Sequence, residues 1–239
     1  MWLALDSAWG LGSVALGRPG ETPLEDTMHQ PRHHASALLP MIQGLLARAD
    51  LELAELKGVV VGDGPGSFTG LRIGASVAKA LVDAHGIELW TAPSLMAMAR
   101  AASSEPGAAI LPMADALRGD LFCGLYRFDP NQVVTLRSAL ARRPDAIIST
   151  FPIPDVMVGE APEPALRALR AWADCLVMPH SSGGAAALLD LIDLPGGARR
   201  IPHPEVSGWE PEYGRPAEAQ AKWERVHGRP LEDPPRTDS

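Results

Sequence analysis

The stretch from residue 58 to residue 74, GVVVGDGPGSFTGLRIG, decides the fold. Its valine run predicts a buried strand at residues 58–61, followed by a turn-rich loop at residues 62–66. We predict a helix over residues 70–85, closed by Gly86. The early glycines allow a tight turn with positive φ, and Ser67 or Thr69 can cap the helix through its hydroxyl. The segment therefore predicts a strand, a tight loop and a helix in direct succession.

The loop at the start of this helix has two interpretations. The exposed N–H groups of the first helical turn could hold an anion. The alternative is a tight strand-to-helix connection with a good cap and no ligand. No Gly-Lys-Ser/Thr follows the glycines, and the dinucleotide-binding fingerprint is also absent from this stretch. The residues by themselves leave both interpretations open.

Upstream of this stretch the chain predicts a hairpin and a helix. Apolar residues 1–5 end at Asp6-Ser7, and a second apolar run covers residues 12–16, which is typical of a β-hairpin. Residues 18–31 carry little order signal. Residues 33–49 then form one apolar stripe at three- and four-residue spacing. Because Pro40 lies inside it, we expect a kink or a helix start near that residue.

Downstream, strands and helices alternate. We predict a strand at residues 88–91 and a helix at residues 94–102 with Ser94 as its N-cap. A polar break at residues 103–107 precedes further strands at residues 108–114, 121–128, 133–136, 156–159 and 176–178, and helices at residues 164–173 and 182–190. This order predicts an α/β chain of two related lobes, residues 1–104 and 105–216. Residues 217–239 are expected to form a helix and a loose tail.

Composition excludes several classes of function. The 239 residues are 46% hydrophobic, enough for a sizeable core, and carry a net charge of −8 with a pI near 5.3. Direct binding to RNA phosphates needs clustered Lys and Arg, so any link to RNA should run through a partner. Cys123 and Cys175 lack metal-site spacing. With neither a signal peptide nor a membrane-spanning run in the sequence, we expect a cytoplasmic protein.

The stretch GPGSFTGLRIG at residues 64–74 resembles the signature of the TsaB (YeaZ) family, which belongs with TsaD to the glycoprotease-like group. Weaker matches follow the family order: LALDS at 3–7, RHHASALLPMI at 32–42, PSL at 93–95, DALRG at 115–119 and PEYGRP at 211–216. The match spans nearly the whole chain. Ser36, Leu117 and the pair Gly159-Glu160 depart from the frequent family residues.

The resemblance implies a fold and a role. The fold is the actin-like, Hsp70-like ATPase fold of two ribonuclease-H-like lobes. TsaD transfers a threonylcarbamoyl group to the adenosine beside the anticodon of tRNAs that read ANN codons. TsaB-type members act as its non-catalytic dimerisation partner, and the ATPase TsaE joins them. The resemblance therefore implies a scaffold that pairs with TsaD, with itself when alone, and with tRNA only through the complex.

The resemblance also implies that cofactors sit on the partner proteins. TsaD-like members hold a metal with a His-x-x-x-His pair, and the equivalent residues here are Ser94 and Met98, which are poor ligands for it. His29 and His33 have the same spacing, but Pro31 between them disfavours a regular helical turn. Asp6, Ser7 and Asp115 are weak candidates for nucleotide binding, with a structural turn as the alternative for each. We therefore expect ATP and metal on the partners and none on this chain.

The expected partner surface lies on the two helices. Its candidate residues are Arg32, His34, Leu38, Leu39, Ile42, Gly70, Leu71, Arg72, Gly74 and Ala78. Small residues at four-residue spacing let a partner helix approach closely, which is the interpretation we expect, and the alternative is that they pack against the chain's own sheet. Two other classes remain open: an active ATP- or metal-dependent transferase or peptidase, and a homodimeric binding module.

Overall fold

A computed structural model describes residues 1–10, 12–28, 34–103, 105–180 and 184–214, with the side chains of residues 34–36 outside the description. The strands are β1 (Trp2–Asp6), β2 (Ser13–Gly17), β3 (Leu24–Thr27), β4 (Gly58–Gly62), β5 (Glu88–Ala92), β6 (Ala109–Asp115), β7 (Leu121–Asp129), β8 (Gln132–Arg142), β9 (Val156–Gly159), β10 (Leu176–Met178) and β11 (Arg199–Ile201). The helices are α1 (His34–Ala49), α2 (Phe68–His85), α3 (Ser94–Ala102), α4 (Pro144–Thr150), α5 (Glu163–Trp172) and α6 (Ala185–Asp190).

The first sheet has the strand order β11-β5-β4-β1-β2-β3. Strands β1, β4 and β5 are parallel, and β2, β3 and β11 are antiparallel to their neighbours. Every residue of β1, β2 and β4 is buried, because helices cover both faces. Alternate side chains divide between two cores: Leu3 and Val61 pack with α1 and α2, whereas Ala4 and Val60 pack with α3 and α6.

The second sheet has the strand order β10-β9-β6-β7-β8. Leu111, Met113 and Cys123 face a core shared with α4 and α5. Ile110 and Phe122, on the opposite face, join the same apolar cluster as α3 and α6 of the first sheet. One continuous core therefore connects the two sheets through these two helices.

The predictions for the deciding stretch are confirmed. Ser67 is the N-cap of α2 and its Oγ accepts a hydrogen bond from the Gly70 N–H at 3.3 Å. Gly86 ends the helix in the left-handed conformation with φ of 65°. The first hairpin pairs Trp2 with Gly17 through Asp6 with Ser13. Local signals sufficed here because caps and turns depend on neighbours in sequence.

Other local predictions were wrong. Pro93, not Ser94, is the N-cap of α3. Pro40 lies inside helix α1, which begins at His34, so a helix start at this proline is wrong, whereas the alternative, a kink, stays a prediction. Strands β3 and β11 and helix α4 were not predicted, and α6 begins at Ala185. Ser94 instead turns its hydroxyl to the Gly64 N–H, 3.2 Å away, so a tertiary contact replaced the local cap.

The last described segment returns to the first sheet. Strand β11 pairs antiparallel with β5, and α6 packs across β1 and β2. The division of the chain at residue 104 stays a prediction, and these two elements lie beyond it in sequence. Within the described ranges, none of the helices combines the length and the apolar character that crossing a bilayer requires.

Candidate functional site

A buried carboxylate marks the carboxyl end of β1. Asp6 is fully buried, its Oδ1 accepts the Ala8 N–H at 3.1 Å, and its Oδ2 accepts the Gly184 N–H at 3.1 Å. The Ser94 hydroxyl is a third donor. Burial raises the pKa of Asp6 from 3.8 to about 6, and these hydrogen bonds only partly oppose it. Both oxygens of this carboxylate are thus occupied by the chain itself.

Glycines make this closure possible. A Cβ on Gly62 would lie 2.8 Å from Asp6 Oδ1, and a Cβ on Gly184 would overlap Oδ2. A Cβ on Gly70 would overlap the Ser7 carbonyl oxygen. The Ser7 Oγ in turn donates to the Gly70 carbonyl at 2.8 Å. The turn after β1 is therefore clamped against the start of α2, with backbone in contact with backbone.

A second buried carboxylate lies at the end of β4. Asp63 is 5% exposed, and burial raises its pKa to about 6, against the attraction of Arg199. An Arg199 guanidinium nitrogen is 3.6 Å from its Oδ2. The Asp63 carbonyl accepts the Glu212 N–H at 2.7 Å. The closing segment, residues 209–214, is thereby fastened across the loop that precedes α2.

The structure also places Asp115, the third nucleotide candidate, and the residues Ser94 and Met98, which are equivalent to the metal-binding pair of TsaD-like proteins. Asp115 is exposed, and its Oδ1 accepts the Leu117 N–H at 2.7 Å, which caps the turn after β6. Ser94 and Met98 are buried in the core. The described parts of the chain contain no group of three His, Cys, Asp or Glu side chains placed to hold a metal ion. The expectation that cofactors sit on partner proteins stays a prediction.

The helical face predicted for a partner is partly buried. Leu38, Ile42 and Leu71 lie in the core beneath α1 and α2, and Ala78 is fully buried. The small residues of α2 pack within the chain itself and not against a partner helix, because Gly70 and Gly74 lie against Ser7. The prediction that they admit a partner helix therefore needs correction, because the clamped turn fills that space.

Other candidates remain exposed or lie outside the description. Leu39 on α1 is 50% exposed, and Arg72 on α2 is also exposed. Arg32 and the histidines at 29 and 33 lie outside the described residues, as does the His34 side chain. The residues after 214, including the expected tail, are likewise not described.

Sequence reasoning missed an aromatic stack on this face. The Phe68 and Tyr213 rings are 4.6 Å apart, and the Arg72 guanidinium lies 4.4 Å from the Phe68 ring centroid. Phe68 is 36% exposed, unusual for such a large apolar side chain. The PEYGRP block at residues 211–216 contains Tyr213, but only the fold shows that this tyrosine lies beside the first turn of α2. We call Phe68, Arg72 and Tyr213 the guanidinium stack.

Comparison with known proteins places the chain in a family. A family model described as TsaD, tRNA N6-adenosine threonylcarbamoyltransferase, matches residues 27–148, just over half of the 239 residues. An uncharacterised protein of Mycobacterium tuberculosis strain H37Rv is 35% identical over 164 residues, which cover 69% of this chain and 72% of that protein.

Two similar proteins carry the name tRNA threonylcarbamoyladenosine biosynthesis protein TsaB. The one from Escherichia coli K12 is 34% identical over 132 residues, 55% of this chain and 57% of that protein. The one from Bacillus subtilis 168 is 27% identical over 247 residues, 92% of this chain and 96% of that protein. The match therefore spans little more than half of the first protein and nearly all of the second.

Solved structures confirm the fold class. A crystal structure of an uncharacterised protein from Pseudomonas aeruginosa with similarity to peptidase YeaZ superposes with a TM-score of 0.73 at 22% identity, covering 90% of this chain and 99% of that one. YeaZ from Pseudomonas aeruginosa gives a TM-score of 0.65 at 25% identity, covering 80% and 89%. The two-sheet α/β architecture is thus the predicted actin-like fold, and the chain belongs to the TsaD family, in its TsaB/YeaZ branch.

Proposed function

We propose that this chain acts in the biosynthesis of threonylcarbamoyladenosine in tRNA as a non-catalytic partner of a TsaD-type transferase. A TsaE-type ATPase completes the assembly. The tRNAs modified are those that read ANN codons, and they are bound by the complex and not by this acidic chain alone. The names of the E. coli and B. subtilis relatives support the pathway.

The observation that carries the non-catalytic role is the complete burial of the Asp6 carboxylate. A carboxylate that binds a metal or orients water must offer an oxygen to the ligand. Both Asp6 oxygens instead accept hydrogen bonds from the chain's own N–H groups, at Ala8 and Gly184, and the side chain has no exposed surface through which a ligand could reach them. To expose Asp6 to a ligand, helix α6, which is packed on β1, would have to move away. The arrangement favours a rigid body over a reaction centre.

The partner surface is proposed on the outer face of α1 and α2. Leu39 and Phe68 are large apolar side chains that remain exposed there. Exposed aromatic and aliphatic side chains beside an arginine are the composition of interface centres. The buried residues beneath them, Leu38, Ile42 and Leu71, hold the two helices in place.

Cell extract depleted of this chain tests the proposal. We expect such extract to leave tRNA without threonylcarbamoyladenosine, measured by mass spectrometry of digested tRNA, and added chain to restore it. Leu39→Asp should restore much less because a charge at the interface is desolvated. The matched control is Leu176→Asp on β10, which replaces a leucine of similar exposure on the second sheet. Equal recovery by the two variants would place the partner surface elsewhere.

The competing enzyme hypothesis predicts different results. An active ATP- or metal-dependent transferase or peptidase should bind ATP tightly in isothermal titration, or carry a stoichiometric metal after purification. It should also modify tRNA without companions. Turnover by the purified chain alone would overturn the proposed role, and sedimentation would tell a stand-alone homodimer from a chain that exchanges its copy for TsaD.

A further inference from the structure

The guanidinium stack orients Arg72 before any partner arrives. One face of the guanidinium lies over the Phe68 ring at 4.4 Å, and Tyr213 lies 5.9 Å away. The Arg72 Nε donates to the Tyr213 hydroxyl at 3.3 Å. A free arginine side chain samples many rotamers, and fixing it on binding costs free energy. In this chain the contact with the Phe68 ring and the hydrogen bond to Tyr213 already restrict the rotamers of Arg72.

A relay of contacts in turn fixes Tyr213. Its hydroxyl donates to Glu210 Oε2 at 3.0 Å, and Lys79 Nζ lies 3.6 Å from Glu210 Oε1. Lys79 also donates to the Ser207 carbonyl at 3.1 Å. The charge of Glu210 is therefore shared with Lys79, and the pKa of Arg72 is raised chiefly by the Tyr213 hydrogen bond. The closing segment therefore holds the Arg72 side chain in position through Tyr213 and Glu210.

The unused part of Arg72 has a defined chemistry. Guanidinium carries five N–H donors in a planar fork, and among the described residues only the Nε donor has a hydrogen-bond partner within 3.5 Å. The two terminal nitrogens fit the two oxygens of a carboxylate side by side. An RNA phosphate is the other ligand that can accept two parallel hydrogen bonds from a guanidinium. The net charge of −8 disfavours binding of a polyanion, and the nearby Lys79 is already paired with Glu210.

We propose that Arg72 is a recognition residue for an Asp or Glu side chain on the surface of the TsaD-type partner, and that Tyr213 and Glu210 are its positioning residues. This inference rests on the proposed function. The carboxylate docks on the terminal nitrogens in the rim of an apolar contact that includes Phe68. The closing segment thereby contributes to partner affinity without itself needing to touch the partner.

Binding of the TsaD-type protein from the same organism, measured by calorimetry with purified full-length chains, tests this. We expect Arg72→Gln to weaken binding about 10- to 100-fold, the range for a charge-assisted pair. Arg72→Lys should recover little of it because a point charge lacks the fork. Tyr213→Phe keeps the ring and should weaken binding about 3- to 10-fold. Arg170→Gln, an exposed arginine on α5, is the matched control and should bind like wild type.

A double-variant cycle separates positioning from general damage. In the Arg72→Gln background, Tyr213→Phe should change the dissociation constant less than about twofold, because the arginine it positions is gone. A partner variant with one surface Asp or Glu replaced by Arg should rescue Arg72→Glu. Thermal unfolding of each variant confirms that the fold is kept.

The outcomes are distinct. Wild-type chain that fails to bind the TsaD-type protein overturns the proposed function and this inference with it. Wild-type binding combined with unchanged affinity of Arg72→Gln overturns the inference alone, as do additive effects of the two substitutions. Loss of tRNA binding by Arg72→Gln with protein binding unchanged would assign the guanidinium to RNA and also overturn it.

Discussion

Replacing Gly70 by alanine should separate the clamped turn from α2. The added Cβ would overlap the Ser7 carbonyl oxygen, where real Cβ contacts lie beyond 3.0 Å. Backbone faces backbone here, so no flexible side chain can yield. The start of α2 must move by more than about 1 Å, and the 2.8 Å hydrogen bond from Ser7 Oγ to the Gly70 carbonyl is lost.

The magnitude follows from three terms. Overpacking costs about 1–3 kcal/mol. Leaving a buried hydrogen-bond partner unsatisfied costs about 1–3 kcal/mol. Alanine returns about 1 kcal/mol of helix propensity. We expect Gly70→Ala to lower the free energy of unfolding by about 1–5 kcal/mol.

Urea unfolding followed by circular dichroism at 222 nm measures this change. The matched control is Gly44→Ala on α1, also a helical glycine, where an added Cβ meets nothing within 4 Å. The control should raise stability by about 0.5–1 kcal/mol. If Gly70→Ala unfolds at the same urea concentration as wild type, the backbone of Gly70 and the Ser7 carbonyl are not in close contact.

Three further predictions concern buried polar groups and the exposed face. Because the pKa values of Asp6 and Asp63 rise to about 6 in the fold, their protonation stabilises the protein fully below about pH 4, and this contribution is lost as pH rises through about 6. Asp63→Asn should therefore flatten the fall in unfolding free energy between pH 4 and pH 7 by about 3 kcal/mol, seen as a smaller shift of the urea midpoint; parallel curves would contradict it. Ser7→Ala should cost about 0.5–1.5 kcal/mol in the same assay by removing the buried hydrogen bond from the Ser7 hydroxyl to the Gly70 carbonyl, and an unchanged midpoint would contradict that contribution. Leu39→Asp should leave the urea midpoint within about 0.5 kcal/mol of wild type while weakening the partner complex, and a large loss of stability would show that this leucine is part of the core.

The elements that were predictable from sequence are those with local causes. The valine run of β4, the Ser67 cap and Gly86 each act through neighbours within four residues. Strand β3, with the sequence LEDT, is a half-exposed edge strand with no apolar alternation. Strand β11 holds two exposed arginines and one buried isoleucine. Both exist because a longer strand offers unpaired backbone groups, which no local pattern reveals.

At the candidate site, too, features with local causes were predictable from sequence and features that depend on tertiary contacts were not. The stripe of Gly70, Gly74 and Ala78 correctly indicated a close approach, but the same pattern fits a partner helix and the chain's own turn. Only the position of Ser7 decides between them. The guanidinium stack depends on a separation of 141 residues between Arg72 and Tyr213, so no periodicity could indicate it. The sequence pattern thus indicated close packing at the start of α2, and tertiary contacts determine which side chains are exposed there.

The place of β11 has a consequence for how the polypeptide is made. Its pairing with β5 completes the edge of a sheet whose other strands end at residue 92. During translation the backbone groups at the β5 edge, including those of Leu89, remain unpaired with β11 until residue 201 has emerged from the ribosome. Open edges of this kind recruit chaperones or aggregate. We expect nascent chains stalled before residue 199 to be captured by chaperones, and those stalled well beyond residue 214 to escape them.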